Sequence, residues 1–154
     1  MLDFPTWRPS PERNCWLFCR QEVYAVQASV SPSNAPQADL VGVIVNDHFE
    51  VFFDTYGSSR KAANLRHAPS VALVIGPTDS ASVRTVQYEG LVDEPAGDDL
   101  DRFLSLYFDR FPDGRSRQCI PDIAYFRVKP TWIRYSDFSV EPPVIVEFQG
   151  RDLI

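Results

Sequence analysis

The chain has 154 residues, 44% of them hydrophobic and 23% charged, and its formal net charge is −6. This size and composition are typical of a globular protein, and we expect one domain, residues 1–154, with a sizeable core. The acidic balance excludes a protein that binds nucleic acid through a broad basic face, because phosphate contacts dominate that affinity. Any anion site must therefore be local.

The three cysteines do not follow a metal or disulfide pattern. Cys15, Cys19 and Cys119 include no CxxC pair and are odd in number, which favours buried, reduced thiols in a cytoplasmic protein over a zinc site or a disulfide framework. A redox pair of Cys15 and Cys19 is the less favoured alternative. We expect no signal peptide, because the first residues show no basic segment followed by an apolar run, and no apolar run reaches membrane-spanning length. We predict no metal site and no membrane association.

The first part of the chain predicts one helix and three strands. Ser10 as N-cap and Pro11 at the first helical position predict a short helix over residues 10–21, which would cover an open end of a barrel. Turn residues separate the strand-like runs that follow. These runs cover residues 22–30, 37–45 and 49–55. Three consecutive antiparallel strands predict a meander.

The rest of the chain predicts two further helices among strands. A helix begins at Ser59 and ends before Pro69, which forbids its continuation. A second helix begins near Leu100, where apolar residues recur at helical spacing. They are Leu100, Phe103, Leu104, Tyr107, Phe108 and Phe111. Further strands are expected at 71–76, 81–95, 123–138 and 142–150. Strands that run mostly as hairpins with inserted helices predict a mainly β (α+β), antiparallel, closed or half-closed barrel.

The helix that begins at Ser59 has an unusual first turn, because Arg60 and Lys61 lie at the positive end of its dipole. An anion bound there would turn the repulsion into attraction, with the Ser59 hydroxyl and backbone N–H groups as donors. A phosphate offers enough acceptors for all these groups. The alternative is that both cations project into water. By contrast, Asp98, Asp99 and Asp101 stabilise the start of the later helix, and this accounts for them without a bound cation.

Other reactive residues do not form a catalytic pattern. His48, in a hairpin turn, and His67, at a helix end, are separated and lack a partner nucleophile, so a hydrolase triad is not expected. Arg127 and Arg134 lie on a strand whose period predicts exposure, which favours a surface position or the rim of a dimer. We therefore assign no catalytic residue.

Two consecutive segments carry a family resemblance. "FDTYGSSRKAANLRHAPSVALVIG" (residues 53–76) followed by "VRTVQYEGLVDEP" (83–95) resembles the pyridoxamine 5'-phosphate oxidase-like FMN-binding split-barrel proteins. In that family a strand ends in Thr, a turn leads to Ser-Arg-Lys, and a later strand ends in Glu-Gly. The resemblance is strong over residues 37–94, and its specificity lies in the ordered combination of these features.

The resemblance implies an antiparallel FMN-binding split β-barrel of Greek-key type with flanking helices, and a homodimer with FMN at the subunit interface. The FMN phosphate would be held by Thr55, Ser59, Arg60 and Lys61. The flavin ring would lie beside the strand that contains Asp39, Leu40 and Val41. The other positions that match flavin contacts are Asp54, where the oxidases carry Tyr, Thr85, where they carry Gln, and Gln87 on the same strand face as Thr85.

The chain departs from the family's oxidases at the positions that bind substrate. Asp39 and Ile44 stand where those enzymes carry Arg and Lys, and Ser136 stands where they carry a Trp beside the flavin. The segment through which the oxidases grip their substrate has no counterpart before residue 150. These departures argue against oxidation of pyridoxamine 5'-phosphate.

The function predicted from the sequence is that of an FMN-dependent oxidoreductase, in which the flavin performs the chemistry and the protein binds and orients it. A small molecule, with NADH or NADPH as a candidate, would exchange electrons with the flavin. One alternative is a flavin-binding carrier, store or sensor without turnover. Another is a split-barrel protein that uses deazaflavin F420 or haem. Haem needs an axial ligand, for which the two histidines are poorly placed, and F420 needs a basic trough that the acidic balance disfavours.

Overall fold

The structure, a computed structural model, describes residues 10–77 and 81–152. Its helices are α1 Pro11–Gln21, α2 Arg60–His67, α3 Gly97–Arg110 and the short α4 Gly114–Arg117, with a 3-10 turn at Gly150–Asp152. Its strands are β1 Tyr24–Val30, β2 Pro36–Gly42, β3 Ile44–Val45, β4 Val51–Tyr56, β5 Ser70–Ile75, β6 Arg84–Asp93, β7 Ile123–Asp137 and β8 Val144–Gln149. The predicted mainly β architecture with flanking helices is confirmed.

The strands form one antiparallel sheet in the order β2-β1-β5-β6-β7-β4-β3, with β8 also paired to β7. The two ends of this order, β2 and β3, are consecutive in the chain and are separated by Val43 alone. The sheet must therefore curl until its ends approach each other. This geometry produces the barrel, in which β4 leads directly into α2.

The predicted strand over residues 37–45 is broken in the structure. Its first part, β2, pairs with β1, and its second part, β3, pairs with β4. At the break, Val43 N–H donates to the carbonyl of Val23 at 2.9 Å. Gly42 packs against the Phe111 ring so closely that a Cβ would lie 3.2 Å from its Cζ atom. The meander is thus formed through a middle strand that is broken at Val43, next to the close contact between Gly42 and Phe111.

Strand β4 divides two apolar clusters. Phe53 faces the barrel interior, where it packs in the main core with Val51, Phe126 and Val128. Phe52 faces the other way and stacks on Phe103 of α3, with ring centroids 5.0 Å apart. The predicted apolar face of α3 therefore covers the outside of β4, as period-two alternation along the strand requires.

The predicted N-cap of α1 is confirmed, since Ser10 Oγ accepts a hydrogen bond from the Arg13 N–H at 3.2 Å. Cys15 and Cys19 are buried free thiols in the main core. The prediction that all three cysteines are buried is wrong for Cys119, which is exposed in the turn after α4. Among the helices of residues 10–77 and 81–152, none is long and apolar enough to cross a membrane.

The predicted surface position of Arg127 is also wrong, because this residue is only 8% exposed. Its guanidinium lies 2.7 Å from the Asp93 carboxylate and 3.4 Å from that of Asp99. Phe126, Arg127 and Val128 are all buried, since α3 covers the outer face of β7 at this point. Strand alternation predicts exposure only where one face of a sheet is open to solvent.

Candidate functional site

The start of α2 carries the polar groups that the sequence singled out. Ser59 is the N-cap, and its Oγ accepts from the Ala62 N–H at 3.1 Å. Thr55, near the end of β4, lies with its Oγ1 3.3 Å from Ser59 Oγ. The first N–H groups of a helix have no partner within the helix, and Ser59 satisfies one of them. The short turn between β4 and α2 therefore places two hydroxyls and a positive helix end at one point.

The two cations of this turn differ in their surroundings. Arg60 is exposed, whereas the Lys61 side chain is only 12% exposed. Lys61 Nζ lies 2.9 Å from Asp39 Oδ2 on β2 and 5.9 Å from the centroid of the Phe53 ring. The lysine stem packs over the barrel while its ammonium group reaches β2. Lys61 thus connects the start of α2 to the strand on which we expect the flavin ring.

A cleft of about 340 Å³ opens between β1, β2 and the start of α2. This volume lies near the lower end of the range for small-molecule sites, about 300–1,000 Å³. The cleft is lined by Gln27, Ser29, Gln37, Ala38, Asp39, Arg60 and Lys61. One wall is therefore cationic, and the other walls are polar side chains of two neighbouring strands.

Beneath the cleft, a polar network ties α2 to the sheet. The Asn64 side-chain amide donates to Ser29 Oγ at 3.1 Å and to Gln37 Oε1 at 2.6 Å. Ser29 and Gln37 are directly opposite each other in the β1–β2 register. These hydrogen bonds satisfy groups that burial would otherwise penalise, and they fix the position of the helix start relative to both strands.

Gln27, two residues before Ser29, lies on the same face of β1 and is 1% exposed. Neither its Nε2 nor its Oε1 has a hydrogen-bond partner among the described residues. Sequence reasoning missed Gln27, Ser29, Gln37 and Asn64. A signal was present, because the alternation of Tyr24–Val30 places Gln27 and Ser29 at inward positions, where apolar residues are the rule.

The structure does not bring all the predicted flavin contacts together. Asp54 lies on the face of β4 opposite to Thr55, and its Oδ2 accepts from Arg117 Nε at 3.0 Å. Burial raises the pKa of Tyr107 in the same cluster, and the charge of Asp54 raises it further. Burial alone would lower the pKa of Arg117. The hydrogen bond with Asp54 and the negative charge of Asp54 outweigh burial and raise the pKa of Arg117. Asp54 is thus engaged away from the cleft.

Four other predicted contacts lie on the sheet's outer face or in its core. Val41 is buried in the main core. Leu40 is 63% exposed on the outer face. It is opposite Val26 in the β1–β2 register, and Val26 is opposite Val74 in the β1–β5 register. Gln87 lies next to these residues on the outer face, since it is opposite Val74 in the β5–β6 register. Thr85 lies two residues from Gln87 on the same face. We call Leu40, Val26 and Val74 the outer apolar row.

A larger cleft, of about 770 Å³, lies between the β3–β4 hairpin and α3 and includes His48. Its arginines already have partners within the described residues. Arg20 lies 3.8 Å from Asp47, Arg102 contacts Asp99, and Arg110 donates to the Gln21 carbonyl at 2.7 Å. The smaller cleft differs from it in that its lining includes Arg60 and Lys61 at the start of α2. No group of three or more metal-ligating side chains occurs in the described parts of the chain.

The fold is similar to that of several solved structures. A haem-binding protein from Mycobacterium smegmatis superposes with a TM-score of 0.82 at 15% identity, over 96% of this chain and 61% of that one. This chain thus spans less than two thirds of that relative's length. An FMN-binding, pyridoxamine 5'-phosphate oxidase-related protein from Nostoc punctiforme gives 0.66 at 12% identity, over 94% and 97% of the two chains. The haem storage protein HutZ from Vibrio cholerae gives 0.65 at 17% identity, over 80% and 91%.

These likenesses confirm the split-barrel fold, and their low identities limit them to the fold. The chain has no match among curated proteins. The sequence model of the pyridoxamine 5'-phosphate oxidase family, however, matches residues 15–137. That match includes β1, β2, the start of α2 and the whole candidate cleft. The chain therefore belongs to the pyridoxamine 5'-phosphate oxidase family.

Proposed function

We propose that this protein binds FMN, with the flavin's phosphate at the start of α2. The observation that carries the proposal is that Arg60 and Lys61 line one cleft and directly follow Ser59, the N-cap of α2. A phosphate there would accept from a hydroxyl, a guanidinium and an ammonium group, and from the N–H groups of the first helical turn. Charge-assisted hydrogen bonds of this kind are about twice as strong as neutral ones.

The flavin ring needs a second wall, and we propose that a second copy of the chain supplies it. Leu40 and Gln87, both expected beside the ring, lie on the outer face along the outer apolar row. Leu40 and Val74 are exposed in the isolated chain. Contiguous exposed apolar residues of this kind mark interaction surfaces. Burial of this row in a homodimer would remove it from water and complete the ring site.

We further propose that the protein is an FMN-dependent oxidoreductase, with NADH or NADPH as the candidate electron donor and a small molecule as acceptor. The flavin, when bound, supplies hydride or electron transfer, and this chain's residues bind it, orient it and exclude water. The free thiols Cys15 and Cys19 support a cytoplasmic protein. The Nostoc punctiforme protein, described as FMN-binding, supports the choice of cofactor.

Haem is the second candidate ligand, since two structurally similar proteins are described as haem-binding or haem-storing. The larger cleft includes His48, which could serve as an axial ligand. No comparable anion-binding turn lines that cleft within the described residues. The smaller cleft, with its cationic wall, therefore favours FMN.

The absorption spectrum of the purified protein separates these candidates, because oxidised flavin, deazaflavin and haem absorb differently. The protein should then be loaded with FMN and mixed with NADPH in the absence of oxygen. Flavin reduction followed by rapid reoxidation with a quinone or dye supports an oxidoreductase. Tight FMN binding without reduction supports a carrier, store or sensor, and a haem spectrum with no FMN binding contradicts the proposal.

A further inference from the structure

A phosphate bound by Arg60 and Lys61 does not explain why a polar side chain is buried at Gln27. Gln27 lies in the middle of β1, faces the cleft beside Lys61, and is 1% exposed. Both atoms of its amide group lack a hydrogen-bond partner among the described residues. A buried amide with neither hydrogen bond made is destabilising, and native proteins rarely retain one without a reason.

The neighbours of Gln27 do not share this problem. Ser29, on the same face of β1, is satisfied by the Asn64 amide, which also donates to Gln37. Asp39, directly opposite Gln27 in the β1–β2 register, accepts from Lys61. On the other side of β1, Gln27 is opposite the buried Leu73. The polar groups around Gln27 are therefore paired, and its own amide remains available to a ligand in the cleft.

The chemistry of an amide restricts what that ligand can be. Its Nε2 donates and its Oε1 accepts. A dianionic phosphate only accepts, so it can satisfy Nε2 but not Oε1. A hydroxyl group both donates and accepts, and can satisfy either atom. A ligand that fills the cleft and satisfies Gln27 therefore carries a hydrogen-bond donor close to its anionic end, and a hydroxyl group meets this need for both atoms.

We propose that Gln27 is a ligand-binding residue that hydrogen-bonds the hydroxyl-bearing chain next to the phosphate bound at the start of α2. This inference rests on the proposed function and deepens it, because the ribityl chain of FMN is a polyol that carries the phosphate. The cleft then recognises a phosphorylated polyol through two separate sets of side chains. Arg60 and Lys61 recognise the phosphate, and Gln27 recognises the adjoining hydroxyls.

The test uses Gln27→Leu, which keeps the side-chain volume and removes both polar atoms. Affinities for FMN and riboflavin are measured by quenching of flavin fluorescence, and binding of inorganic phosphate by the shift in melting temperature. We expect the variant to bind FMN and riboflavin about tenfold more weakly, which is the loss of one hydrogen bond. Its response to inorganic phosphate should equal that of the wild type. Lys61→Ala should give the complementary pattern, with FMN and phosphate weakened and riboflavin unchanged.

Two controls sharpen the result. Gln118→Leu alters an exposed glutamine outside the cleft and should leave flavin binding unchanged. Gln27→Met replaces the leucine variant if that variant does not fold. Wild-type FMN and riboflavin affinities in the folded Gln27 variant would overturn the proposal, because Gln27 would then be only a buried polar residue of the core.

Failure of the proposed function gives a different pattern. If the wild-type protein binds neither flavin, ribose 5-phosphate is compared with inorganic phosphate as a stabiliser. Stronger stabilisation by the sugar phosphate in the wild type, lost in Gln27→Leu, supports the role of Gln27 with a ligand other than FMN. Equal stabilisation of the wild type by both compounds would overturn the role of Gln27. So would stronger stabilisation by ribose 5-phosphate that persists in Gln27→Leu.

Discussion

The ammonium group of Lys61 on α2 lies 2.9 Å from the carboxylate of Asp39 on β2. The cation that we propose for the FMN phosphate is therefore also paired with an anion of the same cleft. Asp39 is well exposed, at 58% of its side chain, so water and salt screen its charge. Its carboxylate nevertheless lies close enough to a phosphate on Lys61 to repel it.

We predict that Asp39→Asn strengthens FMN binding about threefold to fivefold, which corresponds to less than about 1 kcal/mol between screened surface charges. The effect should shrink as salt concentration rises and should be absent for riboflavin. Isothermal titration at low and high salt measures it. Asp47→Asn, an exposed aspartate outside this cleft, is the matched control. Weaker FMN binding by Asp39→Asn would mean that Asp39 holds Lys61 in position.

We predict that Arg60→Ala and Lys61→Ala each weaken FMN binding about tenfold or more, since each removes a charge-assisted hydrogen bond of about 1.5–3 kcal/mol. Riboflavin, which has no phosphate, should bind both variants as it binds the wild type. Fluorescence titration measures both ligands. The control is Arg102→Ala, an exposed arginine of α3 outside this cleft. Equal losses for FMN and riboflavin would place the phosphate elsewhere.

We predict a homodimer that buries the outer apolar row, and we expect Leu40→Glu to dissociate it. A charge at the centre of an apolar interface is desolvated without a partner and is strongly unfavourable. Light scattering measures the mass in solution, and FMN affinity should fall with dissociation. Leu106→Glu changes an exposed leucine of α3 and serves as control. A wild-type monomer that binds FMN tightly would contradict this prediction.

We predict that Arg127→Met lowers the free energy of unfolding by about 1–2 kcal/mol, because it removes the charge-assisted hydrogen bonds of Arg127 while the Asp93 and Asp99 carboxylates that remain are partly exposed and screened by water. Burial alone would raise the pKa of Asp93, but the hydrogen bonds and charge of Arg127 outweigh it and hold that pKa below its ordinary value. The resulting stability is present above the ordinary aspartate pKa of about 3.9 and is lost as pH falls through the lower folded value.

As pH falls from about 5 to about 2, Arg127→Met should therefore lose less free energy of unfolding than the wild type. Urea denaturation across this range measures both effects. Arg102→Met removes an exposed arginine that also contacts Asp99, and should cost about 0.5 kcal/mol or less. An unchanged acid profile in Arg127→Met would show that the carboxylate of Asp93 does not depend on Arg127.

We predict that FMN-loaded protein does not oxidise pyridoxamine 5'-phosphate efficiently. Ile44 provides no cation for a substrate phosphate, and Asp39 places a negative charge beside the cleft. Loss of two charge-assisted contacts weakens substrate binding by about 3–6 kcal/mol, or more than about two orders of magnitude. Formation of pyridoxal 5'-phosphate and peroxide in air is the measurement. Turnover at rates ordinary for enzymes would refute the prediction.

Local chemistry made the helix starts predictable from the sequence. Ser10 and Ser59 cap α1 and α2 as expected, because capping depends on residues within one turn. The burial of Arg127 was not predictable in this way, since it depends on α3 covering β7. The same limit applies to Asp54, whose partner Arg117 lies on α4, a four-residue helix without a periodic pattern.

The candidate site was predicted in part. Ser59, Arg60 and Lys61 were found because two cations at a helix start conflict with the dipole. The contribution of Gln27 depends on which face of β1 meets the cleft, and thus on the register with β2. The break at Val43 likewise coincides with a contact between Gly42 and Phe111, which are far apart in the chain.

The pairing of β4 with β7 places Val51 opposite Val128. During synthesis, β4 and α2 emerge well before β7, one of the two strands that pair with β4. Phe52 has no ring of α3 to stack on until that helix has been made, and Phe53 has no contact with Phe126 until β7 has been made. Contacts between such distant segments close slowly, because loop entropy must be lost before they form. The nascent chain therefore exposes the edge of β4 that later pairs with β7 while residues 57–122 are added, and an unpaired strand edge of this kind is prone to aggregation.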